Sequence, residues 1–188
     1  VQASFESDRA YEDVAVSFFD ADADGDQDLF IGSGGNAQPA ASDLYQHRLY
    51  LNDGKGNFNK QPNAFPTYHF NAAAAAALDA DADGDLDLFV ASRSVPQQYG
   101  QIPESHLYIN QGKGIFKTGS AGKAGMLTDI AVADIDGDKQ SEIILTGEWM
   151  APAVFNIQNG QLKPRSTGME SQKGWWQSVK AADMDGDG

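Results

Sequence analysis

No cysteine occurs in the 188 residues, which excludes a disulfide framework, a thiolate metal site and a cysteine nucleophile. The compartment stays open, because exported proteins can also lack cysteine. Basic residues are scarce as well: 13 Lys plus Arg face 27 Asp plus Glu, for a formal charge of -14. A chain this acidic is repelled by nucleic-acid phosphates and by anionic membranes, so DNA, RNA and polybasic-anchor readings fall away. No run approaches the ~18 apolar residues of a membrane-spanning helix. The sequence opens on Val1 with neither a signal peptide nor a lipidation motif, so any export signal is expected to lie outside it. What is present is 41% hydrophobic and 10% aromatic residues, enough for a packed core and too many for a disordered acidic tail. The length predicts one domain, residues 1–188.

The acid is concentrated in four runs, residues 20–28, 79–87, 134–142 and 183–188, which hold 17 of the 27 carboxylates. Outside them the chain is slightly basic. The first run carries Asp20, Asp22, Asp24, Asp26 and Asp28, and the second repeats it with Asp79, Asp81, Asp83, Asp85 and Asp87. The third has Asp134, Asp136, Asp138, Gln140 and Glu142, with Lys139 at its sixth position; the fourth has Asp183, Asp185 and Asp187 and then ends. Five carboxylates within nine residues repel one another unless a cation neutralises them or water surrounds them. Alternate acids on a tight loop, with Gly25 or Gly84 at position 6, can converge on one hard cation, and position 7 can add its backbone carbonyl. Calcium is the natural occupant, because it accepts six to eight oxygens in flexible geometry.

An EF-hand uses the same early positions but needs a Glu at position 12 and flanking helices. Position 12 is Ile31, Val90 or Leu145 here, inside short apolar segments that read as strands. A solvated acidic turn without metal is the plainer alternative, strongest for the third run because of Lys139.

The first positions of the runs are spaced by 59, 55 and 49 residues, in the range of propeller repeats. An apolar stretch precedes each loop: residues 14–19, 73–78, 130–133 and 179–182. A strand, Gly-rich turn and strand follow it at residues 47–58, 105–116 and, in weaker form, 153–162. Each unit thus predicts four antiparallel strands, one propeller blade. The repeats run approximately 12–70, 71–126, 127–176 and an incomplete 177–188, about three and a half blades of an all-β protein. The six alanines at 72–77 favour helix by propensity, but their place in the repeat predicts an innermost strand. Since propellers close with about four to eight blades, the chain is expected to be a segment of a larger propeller, seven blades being one possibility.

These residues resemble the calcium-binding FG-GAP and VCBS repeats of integrin-α-like β-propellers. The L-Y-x-N-x-G-x-G-x-F hairpin is similar, more closely, to bacterial VCBS-repeat proteins of the ASPIC/UnbV-associated type. Departures include Ala23 and Ala82 at position 4, Lys139, Glu142 and the shortened fourth run. The resemblance implies three complete calcium sites and one truncated one, structural rather than catalytic. It also implies an extracytoplasmic interaction module, secreted or on the cell envelope, that binds a protein or glycan and packs against further blades. At the ~10⁻⁴ to 10⁻³ M dissociation constants of extracellular modules, millimolar calcium would contribute roughly 0.4 to 1.4 kcal/mol per site.

A second reading is a propeller-fold polysaccharide lyase or hydrolase that uses calcium. His47, His69 and His106 lack ligand spacing and no G-x-S-x-G is present, so the residues lend it little. Trp149, Trp175 and Trp176, with Tyr99, are candidates for ligand stacking; packing between blades is the plainer role for aromatics, since Tyr50 and Tyr108 recur at equivalent hairpin positions. The non-repeating loops 92–104 and 32–42 are where partner specificity is expected.

Overall fold

The strands follow from the repeat: short apolar runs bounded by acidic loops and glycine turns pair antiparallel with their neighbours in sequence. In the computed structural model, which describes residues 2–184 and Gly186, a one-turn helix α1 (Ala3–Glu6) precedes the first sheet. That sheet is β1 (Asp13–Phe19), β2 (Asp28–Ser33), β3 (Arg48–Asn52) and β4 (Phe58–Lys60), in spatial order β1-β2-β3-β4. The second repeats the order with β5 (Ala72–Leu78), β6 (Asp87–Ser92), β7 (Ser105–Asn110) and β8 (Phe116–Gly122). The third consists of β9 (Met126–Ala133), β10 (Glu142–Met150), β11 (Ala153–Gln158) and β12 (Gln161–Arg165). A short β13 (Gly174–Trp175) adds to β10, with Trp175 opposite Glu148. The protein is all-β, and its three antiparallel sheets have the form of propeller blades.

Register is identical across the blades. The residue before each acidic run pairs with the ninth residue of that run: Phe19 with Asp28, Leu78 with Asp87, Ala133 with Glu142. Every acidic loop therefore closes the same turn between a blade's first and second strands, and all three lie at one end of the strands. The loops at 34–47 and 93–104 lie at the other end.

The core sits between sheets. One cluster joins Phe19, Phe30 and Leu49 of the first blade to Leu88, Tyr108 and Phe116 of the second; another joins Phe89, Leu107 and Ile109 to Leu127, Ile143 and Leu145 of the third. Central strands β2 and β6 are buried along their whole length because both faces are covered. Each fully buried Phe or Leu contributes about 1.5 to 3 kcal/mol.

The alanine run is strand β5, as its repeat position requires, and tertiary context overrides helix propensity for a physical reason. β5 touches both β1 and β9. Ala75 and Ala77 pack toward the first cluster and Ala74 and Ala76 toward the second, so only methyl-sized side chains fit where three inner strands converge.

Helix α1 packs on the first blade much as the inter-blade segment packs on the second. Phe5 meets Tyr50 edge-on at 4.9 Å, and Phe65 meets Tyr108 at 5.2 Å. Nearer the axis, Val16 and Phe18 of β1 stay exposed. The fourth apolar stretch, residues 179–182, forms no strand. Its predecessors are held by the strand that follows their loop, whereas here the Val179 N–H and the Ser178 hydroxyl donate to Asp129 of β9.

Candidate functional site

Two left-handed residues, separated by one aspartate, shape each acidic loop. Position 4 is Ala23, Ala82 or Gly137 at φ 63, 64 or 77°, and position 6 is Gly25, Gly84 or Lys139 at φ 95, 96 or 71°. The third loop has thus moved its glycine from position 6 to position 4 and kept the turn, with Lys139 taking the conformation that sequence reasoning assigned to glycine. In every loop the position-6 N–H donates to the first carboxylate: Gly25 to Asp20 at 3.0 Å, Gly84 to Asp79 at 3.1 Å, Lys139 to Asp134 at 2.8 Å. The position-7 N–H donates to the fifth: Asp26 to Asp24, Asp85 to Asp83, Gln140 to Asp138. The fourth run begins the same turn, with Gly186 N–H donating to Asp183 at 2.7 Å; Asp185 and Asp187 lie outside the described residues.

These turns bring positions 1, 3 and 9 together. Carboxylate oxygens of Asp20, Asp22 and Asp28 lie within 4.8 Å of one another, as do those of Asp79, Asp81 and Asp87 and those of Asp134, Asp136 and Glu142. By donor chemistry and spacing, each group can hold a metal ion. Positions 5 and 7, which are Asp24, Asp26, Asp83, Asp85, Asp138 and Gln140, stand on the same turns outside these tight trios.

The ninth residue has a second duty that sequence reasoning missed. Asp28 is fully buried and accepts from Ala21 N–H on one oxygen and Asn52 N–H on the other, each at 2.8 Å. Asp87 does the same with Ala80 and Asn110, at 2.8 and 2.7 Å. This carboxylate thus ties the start of the loop to the end of the blade's third strand. Glu142 keeps the loop bond, from Ile135 N–H at 3.0 Å, but its longer side chain meets the Asn156 amide at 3.2 Å.

Burial, reinforced by neighbouring aspartates, pushes Asp22, Asp81 and Asp28 above the usual carboxylate range, and burial takes Asp87 up to about 6. In the first loop, Asp22 Oδ1 and Asp26 Oδ1 are buried without a hydrogen-bond partner. Buried anionic oxygens lacking donors are costly, and a divalent cation is the group such a donor set accommodates. The first two loops therefore fit a hard metal ion. In the third, the Arg165 guanidinium reaches Asp136 at 2.5 Å and Glu142 at 3.6 Å, so a charge of the chain's own stands among the donors. Burial would raise Asp134, yet the N–H groups of Lys139 and Gly137 hold it below the usual range.

The blades are joined at this end by their hairpins. Gly114 N–H and the Asn110 side chain both donate to Ala21 O, at 3.1 and 2.9 Å, and Gly160 N–H donates to Ala80 O at 3.1 Å. The second residue of each of the first two acidic loops is therefore bonded by the following blade.

The other end carries the candidate ligand-binding aromatics. Tyr99, Trp149 and Trp175 are 58%, 55% and 51% exposed, and their rings form an edge-on series at 5.7 and 5.2 Å. Trp149 is placed by a left-handed backbone, φ 56°. Trp176 is also exposed but stands outside this series, its indole N–H donating to Met150 O. Tyr50 and Tyr108, by contrast, are buried blade-packing residues. Beside the series, buried Glu148 accepts from Tyr99 Oη at 2.6 Å and from Arg93 Nε at 2.8 Å. A cleft of about 580 Å³ opens here, lined by Glu12, Asn36, Asn71, Arg93, Tyr99 and Thr128 among others. The two non-repeating loops meet at its rim, where Gln97 N–H donates to Asn36. His47 and His106 pack against Phe70 at 4.5 and 4.4 Å, while His69 pairs with Asp43 at 3.1 Å.

Arg93, Glu148 and Arg165 escaped the sequence reading. The first two carry no repeat signal. Arg165 was recoverable, because hairpin register places it where the first two blades have Gln61 and Gly119.

No curated protein matches the chain. A family model described as FG-GAP-like repeat matches residues 20–90, 79–145 and 134–188. Each match begins on the first aspartate of an acidic run, and the first two end in the strand that follows the next run. With matches that leave only the residues before Asp20 uncovered, the chain belongs to the FG-GAP-like repeat family.

Proposed function

We propose that this chain is a calcium-stabilised interaction module that works outside the cytoplasm and binds a glycan or protein partner on the face opposite its acidic loops. The observation that carries this reading is the exposed series Tyr99, Trp149 and Trp175 beside the cleft at Arg93 and Glu148. Aromatic faces next to fixed hydrogen-bonding groups suit sugar rings and extended peptides alike. The acidic loops have a structural part. Calcium held by Asp20, Asp22 and Asp28, and by Asp79, Asp81 and Asp87, would offset carboxylate repulsion and fix the residues that the next blade's hairpin bonds. The L-Y-x-N hairpin supports a reading near VCBS-type repeats within the family, and the exposed β1 face suits a further blade.

The test is a glycan array and an extracellular-protein panel probed with wild type, Trp149→Ala and Asp81→Ala, alongside a polysaccharide degradation assay. Binding lost in Trp149→Ala at unchanged melting temperature is the expected result. Binding that survives both Trp149→Ala and Trp175→Ala overturns the assigned face, and turnover of a polysaccharide replaces the module with an enzyme.

A further inference from the structure

We propose that the third acidic loop is occupied by the protein's own cation, the Arg165 guanidinium, so that only the first two of the three complete loops take up calcium. This rests on the metal-binding reading of those two loops. The three loops share one register and the same hydrogen bonds from positions 6 and 7, so a difference in what they bind is sought in their side chains. Four side chains differ together, and all four act on charge at the same point.

Glu142 replaces the ninth aspartate. With the extra methylene, one oxygen keeps the Ile135 N–H while the other meets the Asn156 side chain, where the first two blades use the backbone N–H of Asn52 and Asn110. Asn156 and Arg165 face that second oxygen, at 3.2 and 3.6 Å. Arg165 also binds Asp136 at 2.5 Å, so it contacts two of the three residues whose oxygens form the tight group. Gln140 removes the seventh-position acid that Asp26 and Asp85 supply, and Lys139 adds a positive charge at position 6. Five carboxylates in each of the first two loops become four, with two cations beside them.

A guanidinium satisfies paired carboxylates through directed N–H donors and stays charged at every physiological pH. A calcium ion entering the third loop would have to displace that pair and sit near a second positive charge, which penalises binding there relative to the other loops. Arg165 is drawn from β12, so the third blade obtains from its own hairpin, without calcium, the loop-to-strand linkage that the first two strengthen by binding an ion.

The experiment counts ions. Native mass spectrometry and calorimetric titration with calcium are run on the 188-residue chain, on Arg165→Gln and on Arg165→Lys. Arg165→Gln is expected to bind one more calcium than wild type. Its melting temperature should fall below wild type in chelator and recover on adding calcium, a recovery larger than the wild-type calcium response. Arg165→Lys keeps the charge and should keep the wild-type ion count. Any ion taken up by the fourth run appears in all three proteins and cancels in the difference. Equal counts in wild type and Arg165→Gln, with ions bound in both, overturn the assignment of Arg165 alone. No calcium bound by either protein overturns it together with the metal reading of the first two loops. If Arg165→Gln does not fold in chelator, refolding it in calcium with an extra ion supports the assignment, and failure to refold overturns it.

Discussion

Within each of the first two loops, aspartates of the same type do separable work. Asp87 satisfies two backbone N–H groups with no access to water, whereas Asp81 is exposed and its backbone donor, Asp83, belongs to the same loop. Asp87→Ala should therefore cost roughly 2 to 5 kcal/mol in chelator, since it strands two buried donors, and about 1 kcal/mol more in millimolar calcium, since it also removes a ligand. Asp81→Ala should cost about 1 kcal/mol in millimolar calcium and little in chelator. Denaturant melts of both variants under both conditions distinguish them. His47 gives a second residue-level expectation. Burial, with added repulsion from His106 and Arg48, holds its pKa down to about 3, against about 6.5 in the unfolded chain. Its contribution is complete above pH 6.5 and is lost as pH falls toward 3, because only the unfolded state takes up the proton. The slope approaches about 1.4 kcal/mol per pH unit. Stability measured across that window in His47→Asn should lack this component of the acid-side decline.

Individual strands are governed by how closely they approach the axis. β5 lies between β1 and β9, so Ala75→Leu should destabilise by about 1 to 3 kcal/mol through overpacking. Val16→Leu on the exposed face of β1 should change the melting temperature little by comparison. Strands, loops and hairpins were legible in the sequence because each is written several times: a stretch such as Ala72–Leu78, ambiguous alone, is settled by its counterparts at the same offset from an acidic run. Register was legible for the same reason. What occurs once was not. The Arg93 to Glu148 pair spans 55 residues and joins a non-repeating loop to β10, while the Gln97 to Asn36 contact spans 61 and joins two non-repeating loops; no local pattern links either pair. Asp28 and Asp87 were found as metal-ligand candidates but not as buried acceptors, since alternation of acids says nothing about which one points inward. Residues 179–182 read as a strand by alignment alone, but the ladder partner that makes such a stretch a strand is not encoded in the stretch itself.

At the scale of the whole molecule, the charge of -14 is a property of its loops, crowded at one end of the blades. Screening should therefore substitute in part for bound cations. In chelator, raising NaCl from about 0.01 to 0.5 M, which shortens the screening length from about 30 Å to a few ångströms, should raise the melting temperature by several degrees. In saturating calcium the same salt should have a much smaller effect. Equal salt responses in the two conditions would show that the loops carry no excess repulsion for an ion to relieve.

The bonds from Gly114 and Gly160 back to Ala21 and Ala80 run in one direction, each from a later blade to an earlier loop. A chain leaving the ribosome therefore cannot finish its first loop when residue 28 emerges. Ala21 gains its acceptor bonds only after Asn110 and Gly114 are out, and Ala80 waits in the same way for Gly160. Maturation of the first two loops then lags synthesis by about one blade, each staying unfinished until the next blade's hairpin has emerged.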